Sequence, residues 1–273
     1  MNVNEVPIFV SSADSYADIW PAFFALLKRE WPEYKGTIYL NTEKLDFKYE
    51  GFNIVCTKLG RQQRFVDTFK AGIDCVPGDH FLLLMIDYFI EQRVNVPRLQ
   101  NYYDIFLKES PDTFTLNPNV AARNKVLSEY DGVMETLTSG PSWKYMFGFQ
   151  TAFWRKDSIK KILRTWESPW HSEYFGSFRA AKLKMRFLVL ADKDHKPIAY
   201  DDAGVLHGGG KWYRPALAKI DLAGIPLDFA TAKRSYYVGP KSFFEVVYRH
   251  LWNRLTTFPT RARSYWSVLT CHE

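Results

Sequence analysis

The stretch His80-Phe81-Leu82-Leu83-Leu84-Met85-Ile86-Asp87 decides the fold, because it contains an apolar run as long as any in the chain and ends on an acid. A continuous apolar run of this length is typical of a strand that is buried on both faces of a sheet. It is far shorter than the roughly 18 apolar residues that span a bilayer. The stretch therefore predicts the central strand of a sheet covered on both sides.

Shorter elements alternate in the chain before this strand. Apolar runs predict buried strands over 7–10, 37–40 and 52–56. Apolar residues at helical spacing predict helices over 19–31 and 61–75. Strands that alternate with helices in this way indicate an α/β fold.

Elements beyond Asp87 are predicted from weaker patterns. We expect helices over 99–107, 158–166 and 169–183, and strands over 112–119 and 147–154. The composition changes after Pro226, where a helix is predicted over 243–255 and a basic, aromatic stretch over 260–266. We therefore predict one α/β domain over 1–225 and a C-terminal helical tail over 226–273.

The composition limits the class of protein. The chain has 273 residues, 47% of them hydrophobic, and its 36 Lys and Arg outnumber 30 Asp and Glu to give a net charge of +6. Such a chain has ample material for a core and does not resemble a disordered one. Three cysteines without a C-x-x-C pair favour a reducing compartment. Residues 1–7 contain Glu5 and no Lys or Arg, which does not suit a secretory signal, so we expect a cytoplasmic protein.

Ligands of open α/β sheets bind beyond the carboxyl ends of the strands. Asp87 stands at one such end, and further candidates follow the first two predicted strands: Ser11, Ser12, Asp14 and Thr42. No Walker loop, G-x-G-x-x-G, H-E-x-x-H or G-x-S-x-G motif occurs in the chain. The cluster Gly208-Gly209-Gly210-Lys211 has two interpretations: a hairpin turn, or a flexible loop that brings Lys211 to a phosphate.

Several segments resemble, in their chain order, the nucleotide-sugar glycosyltransferases with the GT-A fold. They are Phe9-Val10-Ser11-Ser12, Ile86-Asp87-Tyr88, the stretches 148–156 and 166–174, and the late His207-Gly208, so that the resemblance covers roughly residues 6–215. It implies a Rossmann-like mixed sheet flanked by helices. It also implies an inverting enzyme of surface-polysaccharide synthesis, which moves a sugar from a UDP-, GDP- or dTDP-sugar to a hydroxyl of a glycan or lipid-linked glycan.

The resemblance assigns roles to two further groups. Asp87 occupies the place of the family's D-x-D metal motif, and His207 corresponds to the late histidine that meets the metal or the diphosphate. Together they imply a Mg²⁺ or Mn²⁺ ion. Because Ile86 and Phe89 leave the motif incomplete, three alternatives stay open. Asp87 ligates the ion alone with water and phosphate, it contacts the donor sugar, or it merely ends a strand at solvent.

Glu173 matches the family's catalytic base, with Arg179 six residues later. The alternative is an ordinary acid near a helix N-terminus. Glu167 is the reserve candidate for the base. On the donor side, the Ser11–Asp14 loop, Thr42 and Arg61 are expected to contact the nucleotide, and Lys211 to share the neutralisation of its charge.

Two rival functions and one further partner follow from the same residues. One rival is a nucleotide- or nucleic-acid-binding module without turnover. It is supported by the positive net charge alone, because the chain carries no nucleic-acid recognition motif. The other rival is a methyltransferase, which would need a glycine-rich turn after the first strand. The chain has Ser11-Ser12-Ala13-Asp14 there instead. The tail mixes basic and aromatic residues, which predicts either contact with an anionic membrane inner face or a packed helix with a solvated basic face.

Overall fold

The computed structural model describes residues 1–61, 64–119, 122–138, 145–227, 234–239 and 254–271. One mixed sheet dominates these ranges. Its strands in chain order are β1 (Ile8–Ser11), β2 (Thr37–Leu40), β3 (Asn53–Cys56), β4 (His80–Met85), β5 (Thr113–Pro118), β6 (Asn124–Val126), β7 (Val133–Thr136), β8 (Ala152–Arg155) and β9 (Phe187–Leu190). Across the sheet their order is β3-β2-β1-β4-β8-β5-β9-β7-β6.

The directions of the strands divide the sheet at β8. Strands β1 to β4 are parallel, as are β5 and β9, whereas β8 lies antiparallel between β4 and β5. Strands β6 and β7 extend the far edge by antiparallel pairing. This is a mixed α/β sheet flanked by helices, and the predicted fold class is confirmed.

The helices are α1 (Trp20–Glu30), α2 (Phe65–Asp74), α3 (Val96–Glu109), α4 (Lys156–Ile162), α5 (Pro169–Lys182), α6 (Arg214–Leu217) and α7 (Phe258–Leu269). A small hairpin, β10 (Leu206–His207) and β11 (Lys211–Trp212), stands apart from the main sheet. Helix α5 begins where its sequence predicts, because the Ser168 side chain accepts a hydrogen bond from the His171 N–H and Pro169 suits the first turn.

Two hydrophobic clusters cover the two faces of the sheet. Side chains alternate between them along the central strands, so that Leu82 and Leu84 lie in one cluster and Phe81 and Leu83 in the other. Helices α1 and α3 close the first cluster, and α2, α4 and α5 close the second. The continuous apolar run at 81–86 is thus explained by burial on both faces.

Some boundaries differ from the prediction. The strand expected over 147–154 begins only at Ala152, because Phe147 and Phe149 are buried in a loop beneath α5. The helix expected over 158–166 is α4, which ends at Ile162. Strands β6, β7 and β9 were not expected, and the helix predicted over 243–255 lies almost wholly outside the described residues.

The last described segment packs on the main body. Helix α7 lies against α5, where the Tyr265 ring contacts that of Phe175 at 4.9 Å between centroids. The predicted helical tail is present in this segment, and the division of the chain at 225 stays a prediction. Within the described residues, no helix combines the length and apolarity needed to cross a membrane.

Candidate functional site

Asp87 lies just beyond the carboxyl end of the central strand β4. Its backbone carbonyl accepts a hydrogen bond from Val205 N at 2.8 Å, which holds the 204–205 segment beside it. The carboxylate faces Gly204, where an added Cβ would lie 2.8 Å from Oδ2. No ion pair to Asp87 exists within the described parts of the chain, and burial raises the pKa of this carboxyl to about 6. Asp87 is therefore a partly buried acid whose raised pKa is offset only by its own backbone N–H.

Glu173 lies in the first half of α5 and holds a loop of the main body. Its Oε1 accepts a hydrogen bond from Phe149 N at 3.0 Å. One turn later, Ser177 Oγ accepts a hydrogen bond from Phe147 N at the same distance of 3.0 Å. Burial raises the pKa of Glu173, and the Phe149 N–H partly offsets this rise. The carboxylate is therefore fixed through one oxygen, which leaves the other for chemistry.

Tyr88 lies close enough to both acids to be affected by their charges. Burial raises its pKa first, and the negative charges of Asp87 and Glu173 both raise it further. The Tyr88 ring stacks on Tyr200 at 4.6 Å between centroids, and its hydroxyl accepts a hydrogen bond from Gln150 Nε2 at 3.1 Å. The charges of Asp87 and Glu173, which are predicted from separate motifs, thus both act on one aromatic residue.

The polar network beneath Tyr88 was not predicted. Tyr200 donates to Gln150 Oε1 at 3.0 Å, and Asn117 Nδ2 reaches both Gln150 Oε1 and Asp202 Oδ1 at 3.3 Å. Lys196 pairs with Asp202 at 2.7 Å. These residues come from separate segments with no common spacing. The sequence signal that could have drawn attention to them is the acid pair Asp201-Asp202 shortly before Gly204.

Three predicted donor-side residues fix the loops after β1 and β2 by hydrogen bonds. Asp14 accepts hydrogen bonds from the backbone N–H groups that follow β2, at 2.9, 2.9 and 3.2 Å. Ser12 Oγ accepts from Trp20 Nε1 at 2.8 Å, and Thr42 Oγ1 accepts from Lys58 N at 3.1 Å. Ser11 is buried and Arg61 is exposed. The contact of these residues with a nucleotide stays a prediction.

The glycine cluster forms a hairpin turn, which confirms one of its two interpretations. His207 and Lys211 face each other across β10 and β11, and the three glycines between them have positive φ of 52°, 87° and 82°. Arg234 donates hydrogen bonds to Gly210 O at 2.9 Å and Ser15 O at 2.7 Å. This contact brings the exposed His207 and Lys211 to the edge where β1 ends.

A metal ion would find few ligands here. No three His, Cys, Asp or Glu side chains converge in the parts of the chain that the structure describes. Asp87 supplies a single anionic oxygen pair, whereas Mg²⁺ sites commonly combine one or two carboxylates with substrate phosphates. The residues therefore do not fit a cage made by the protein alone, and a bound ion would depend on the diphosphate for its other ligands.

Glu167 is not placed to act as a base, which corrects its assignment as the reserve candidate. Both of its oxygens accept hydrogen bonds from Arg179, at 2.9 and 2.6 Å, and both side chains are fully buried. Arg179 also donates to Ile162 O at 2.7 Å and to Ser267 Oγ at 3.0 Å. The Glu167–Arg179 pair is therefore a structural link between α4, α5 and α7.

We expect Glu167→Leu to lower the free energy of unfolding by about 3–5 kcal/mol, because it leaves the Arg179 charge buried and uncompensated. Urea unfolding monitored by circular dichroism measures the loss. The double variant Glu167→Leu/Arg179→Met removes both charges and should recover most of it. A single variant within about 1 kcal/mol of wild type would contradict the link.

Comparisons with known proteins leave the sequence family open. No protein-family model matches the chain, and no curated protein matches it. Among solved structures, S. aureus TarS is similar with a TM-score of 0.46 and 14% identity, over 69% of this chain and 35% of TarS. Apo UDP-glucose pyrophosphorylase gives 0.43 and 10%, over 68% of this chain and 90% of that one. The bifunctional IspDF from Campylobacter jejuni gives 0.41 and 9%, over 80% and 54%.

Proposed function

We propose that this protein transfers a sugar from a nucleotide-sugar donor to a hydroxyl of a glycan acceptor, with inversion at the anomeric carbon. The observation that carries the proposal is that Asp87, just after β4, and Glu173, on α5, both lie close enough to Tyr88 to raise its pKa. Hydrogen bonds tie Glu173 to the same region, because it accepts from Phe149 N and the next residue, Gln150, donates to the Tyr88 hydroxyl. One carboxylate serves the donor side and the other the acceptor side. Both have a raised pKa caused by burial, as is common for groups in catalytic sites.

Glu173 is the proposed general base. It takes the proton of the acceptor hydroxyl while that oxygen attacks the anomeric carbon, and the nucleoside diphosphate departs from the opposite face. A single displacement of this kind inverts the configuration. The hydrogen bond from Phe149 N fixes Glu173 before the substrate arrives, so little reorganisation is needed at the moment of reaction.

Asp87 is the proposed donor-side acid. It either accepts hydrogen bonds from hydroxyls of the donor sugar or, with diphosphate oxygens, ligates Mg²⁺ or Mn²⁺. A bound divalent ion would neutralise the charge that develops on the leaving diphosphate. His207 and Lys211, on the exposed hairpin, are the proposed partners of that diphosphate on the protein side.

The substrates are proposed by class. A UDP-, GDP- or dTDP-sugar is the proposed donor, and a glycan or lipid-linked glycan used in surface-polysaccharide synthesis is the proposed acceptor. The nucleotide is proposed to lie against the loops after β1 and β2, since that edge follows the strand-end rule. The hydrogen bonds of Asp14 and Thr42 hold these loops in shape, which supports a preformed surface there.

A thermal-shift screen with UDP-, GDP-, dTDP- and CMP-sugars, each with and without Mn²⁺, tests the proposal. A ligand that binds only the folded state at about 100 times its Kd stabilises it by about 2.7 kcal/mol. We expect one nucleotide class to raise Tm and then to release its nucleoside diphosphate when acceptor glycans are added. If no nucleotide sugar raises Tm, or if one binds without any turnover, the proposed transfer is wrong.

A further inference from the structure

Helix α7 is oriented with its polar side inward. Its buried residues are Ser264, Ser267 and Val268, and its Tyr265 ring packs on Phe175, whereas its other large apolar side chains face solvent. A helix that docks on a soluble core normally buries its apolar stripe and exposes its polar face. The arrangement in α7 is the reverse.

The inward face is held by polar contacts. Ser264 Oγ accepts a hydrogen bond from Trp166 Nε1 at 3.1 Å, and Ser267 Oγ accepts one from Arg179 at 3.0 Å. Lys182 Nζ donates to Val268 O at 3.0 Å and to Leu269 O at 2.9 Å, near the C-terminal end of the helix. These contacts fix the rotation of α7 about its axis, so its outward face is set by the fold.

The outward face is apolar and is exposed to solvent. Phe258, Trp266 and Leu269 are 69%, 68% and 64% exposed. At about 100° per residue, these three side chains fall within an arc of roughly 80°. Large apolar side chains concentrated on one exposed stripe mark an interaction surface, whereas single exposed ones need no explanation.

The charges beside this stripe indicate which kind of partner it binds. On the same helical projection, Arg261 and Arg263 lie on opposite flanks of the apolar arc, and the exposed Arg263 also stacks on the Trp166 ring at 3.9 Å. Residues 254–271 contain three arginines and no Asp or Glu. Apolar and aromatic residues flanked by basic ones are the pattern of a helix that lies in the plane of a membrane interface.

We propose that α7 docks the protein on an anionic lipid surface, with Phe258, Trp266 and Leu269 inserted at the interface and the flanking arginines at the headgroups. A second copy of the chain is a poorer occupant, because two such faces would bring like charges together and the chain already carries a net charge of +6. An anionic lipid surface offers apolar chains to the stripe and negative headgroups to its basic flanks.

Co-sedimentation of the full chain with vesicles tests the proposal. We expect binding to vesicles of phosphatidylcholine mixed with phosphatidylglycerol, little binding to phosphatidylcholine alone, and weaker binding as salt rises. Arg261→Gln/Arg263→Gln should lower the partition coefficient about 25-fold, at about fivefold for each basic residue near the surface. Phe258→Ser/Trp266→Ser should lower it at least about tenfold.

Matched controls come from β6, the exposed strand at the edge of the sheet. Val126→Ser removes an apolar side chain that is 69% exposed on β6, and Lys125→Gln removes a neighbouring charge. Both should bind vesicles like wild type, and circular dichroism confirms that each variant is folded. Vesicle binding that does not depend on salt concentration would overturn the proposal. Vesicle binding that is unchanged in the α7 variants would also overturn it. So would a salt-resistant dimer in sedimentation velocity that the Phe258→Ser/Trp266→Ser variant abolishes.

Discussion

Replacing Glu173 by glutamine should lower turnover by about 10²–10⁴-fold and leave donor affinity within about twofold of wild type. Glutamine is close to glutamate in shape, and its carbonyl oxygen still accepts the hydrogen bond from Phe149 N. Its amide cannot take a proton from the acceptor. The loss should therefore appear in kcat, measured with the nucleotide sugar that the thermal-shift screen selects.

Ser177→Ala is the matched control for this variant. Ser177 accepts the hydrogen bond from Phe147 N, so it holds the same loop from the same helix without a carboxyl group. Its removal leaves a buried N–H unpaired and should cost about 1–3 kcal/mol of stability with turnover lowered less than about tenfold. If Ser177→Ala and Glu173→Gln reduced turnover equally, Glu173 would be a loop clamp and not a base.

Replacing Asp87 by asparagine should make the protein more stable and nearly inactive. Burial raises the pKa of Asp87 from 3.8 to about 6, a shift of about two units. At 1.36 kcal/mol for each unit, ionised Asp87 costs the folded state about 3 kcal/mol. Asparagine carries no charge, so Tm should rise by roughly 5–10 °C near neutral pH. Turnover should fall about 10²–10³-fold, as when a single preorganised electrostatic group is lost.

The sign of the pH dependence follows from the raised pKa. The folded state binds the Asp87 proton more tightly than the unfolded state does, so wild type loses this part of its stability as pH rises from about 4 to about 6. The asparagine variant has no such dependence. Its advantage over wild type should therefore be absent near pH 4 and complete above about pH 7.

Thermal and urea unfolding at a series of pH values, in EDTA to exclude divalent ions, measure this difference. Asp14→Asn is the control at the same edge of the sheet. Asp14 uses both carboxylate oxygens to accept backbone N–H groups, so its asparagine variant should lose about 1–3 kcal/mol instead of gaining stability. An Asp87→Asn variant less stable than wild type at neutral pH would show that the carboxylate has a stabilising partner.

The first half of the fold could be predicted from sequence because each element carries its own periodic signal. Strands β1, β2 and β4 are short apolar runs, and helices α1 and α2 have apolar residues spaced by turns. The run at 147–154 was misleading for a physical reason. Its first aromatic residues are buried by helix α5, so their apolarity reflects a buried loop and not a strand.

Two kinds of strand were missed. Phe187–Leu190 is wholly buried and apolar, so β9 carried a signal comparable with that of β1 and could have been found. Strand β6 forms the edge of the sheet beside β7, and both are short and partly exposed, so burial shapes little of their sequence. Edge strands of this kind are identified by their pairing, which depends on distant parts of the chain.

Single residues of the candidate site could be predicted from the sequence, but their arrangement in space could not. Asp87 and Glu173 stand beside recognisable local patterns, an apolar strand and the start of a helix. Tyr88, Gln150 and Tyr200 have no such marker and meet only when β4, the loop before β8 and the segment after β9 are brought together. Glu167 was misassigned because sequence spacing cannot show that Arg179 occupies both of its oxygens.

The antiparallel strand β8 has a consequence for how the chain folds. It is the seam between β3-β2-β1-β4, built from residues 8–85, and β5-β9-β7-β6, built from residues 113–190. Along the chain, β8 is nearer to β5, which it meets in pairs such as Thr113–Trp154, than to β4, which it meets in pairs such as His80–Arg155. Closing a longer loop costs more entropy and is slower. We therefore expect β8 to pair with β5 first, and its later pairing with β4, beside Asp87 and Tyr88, to make the sheet continuous.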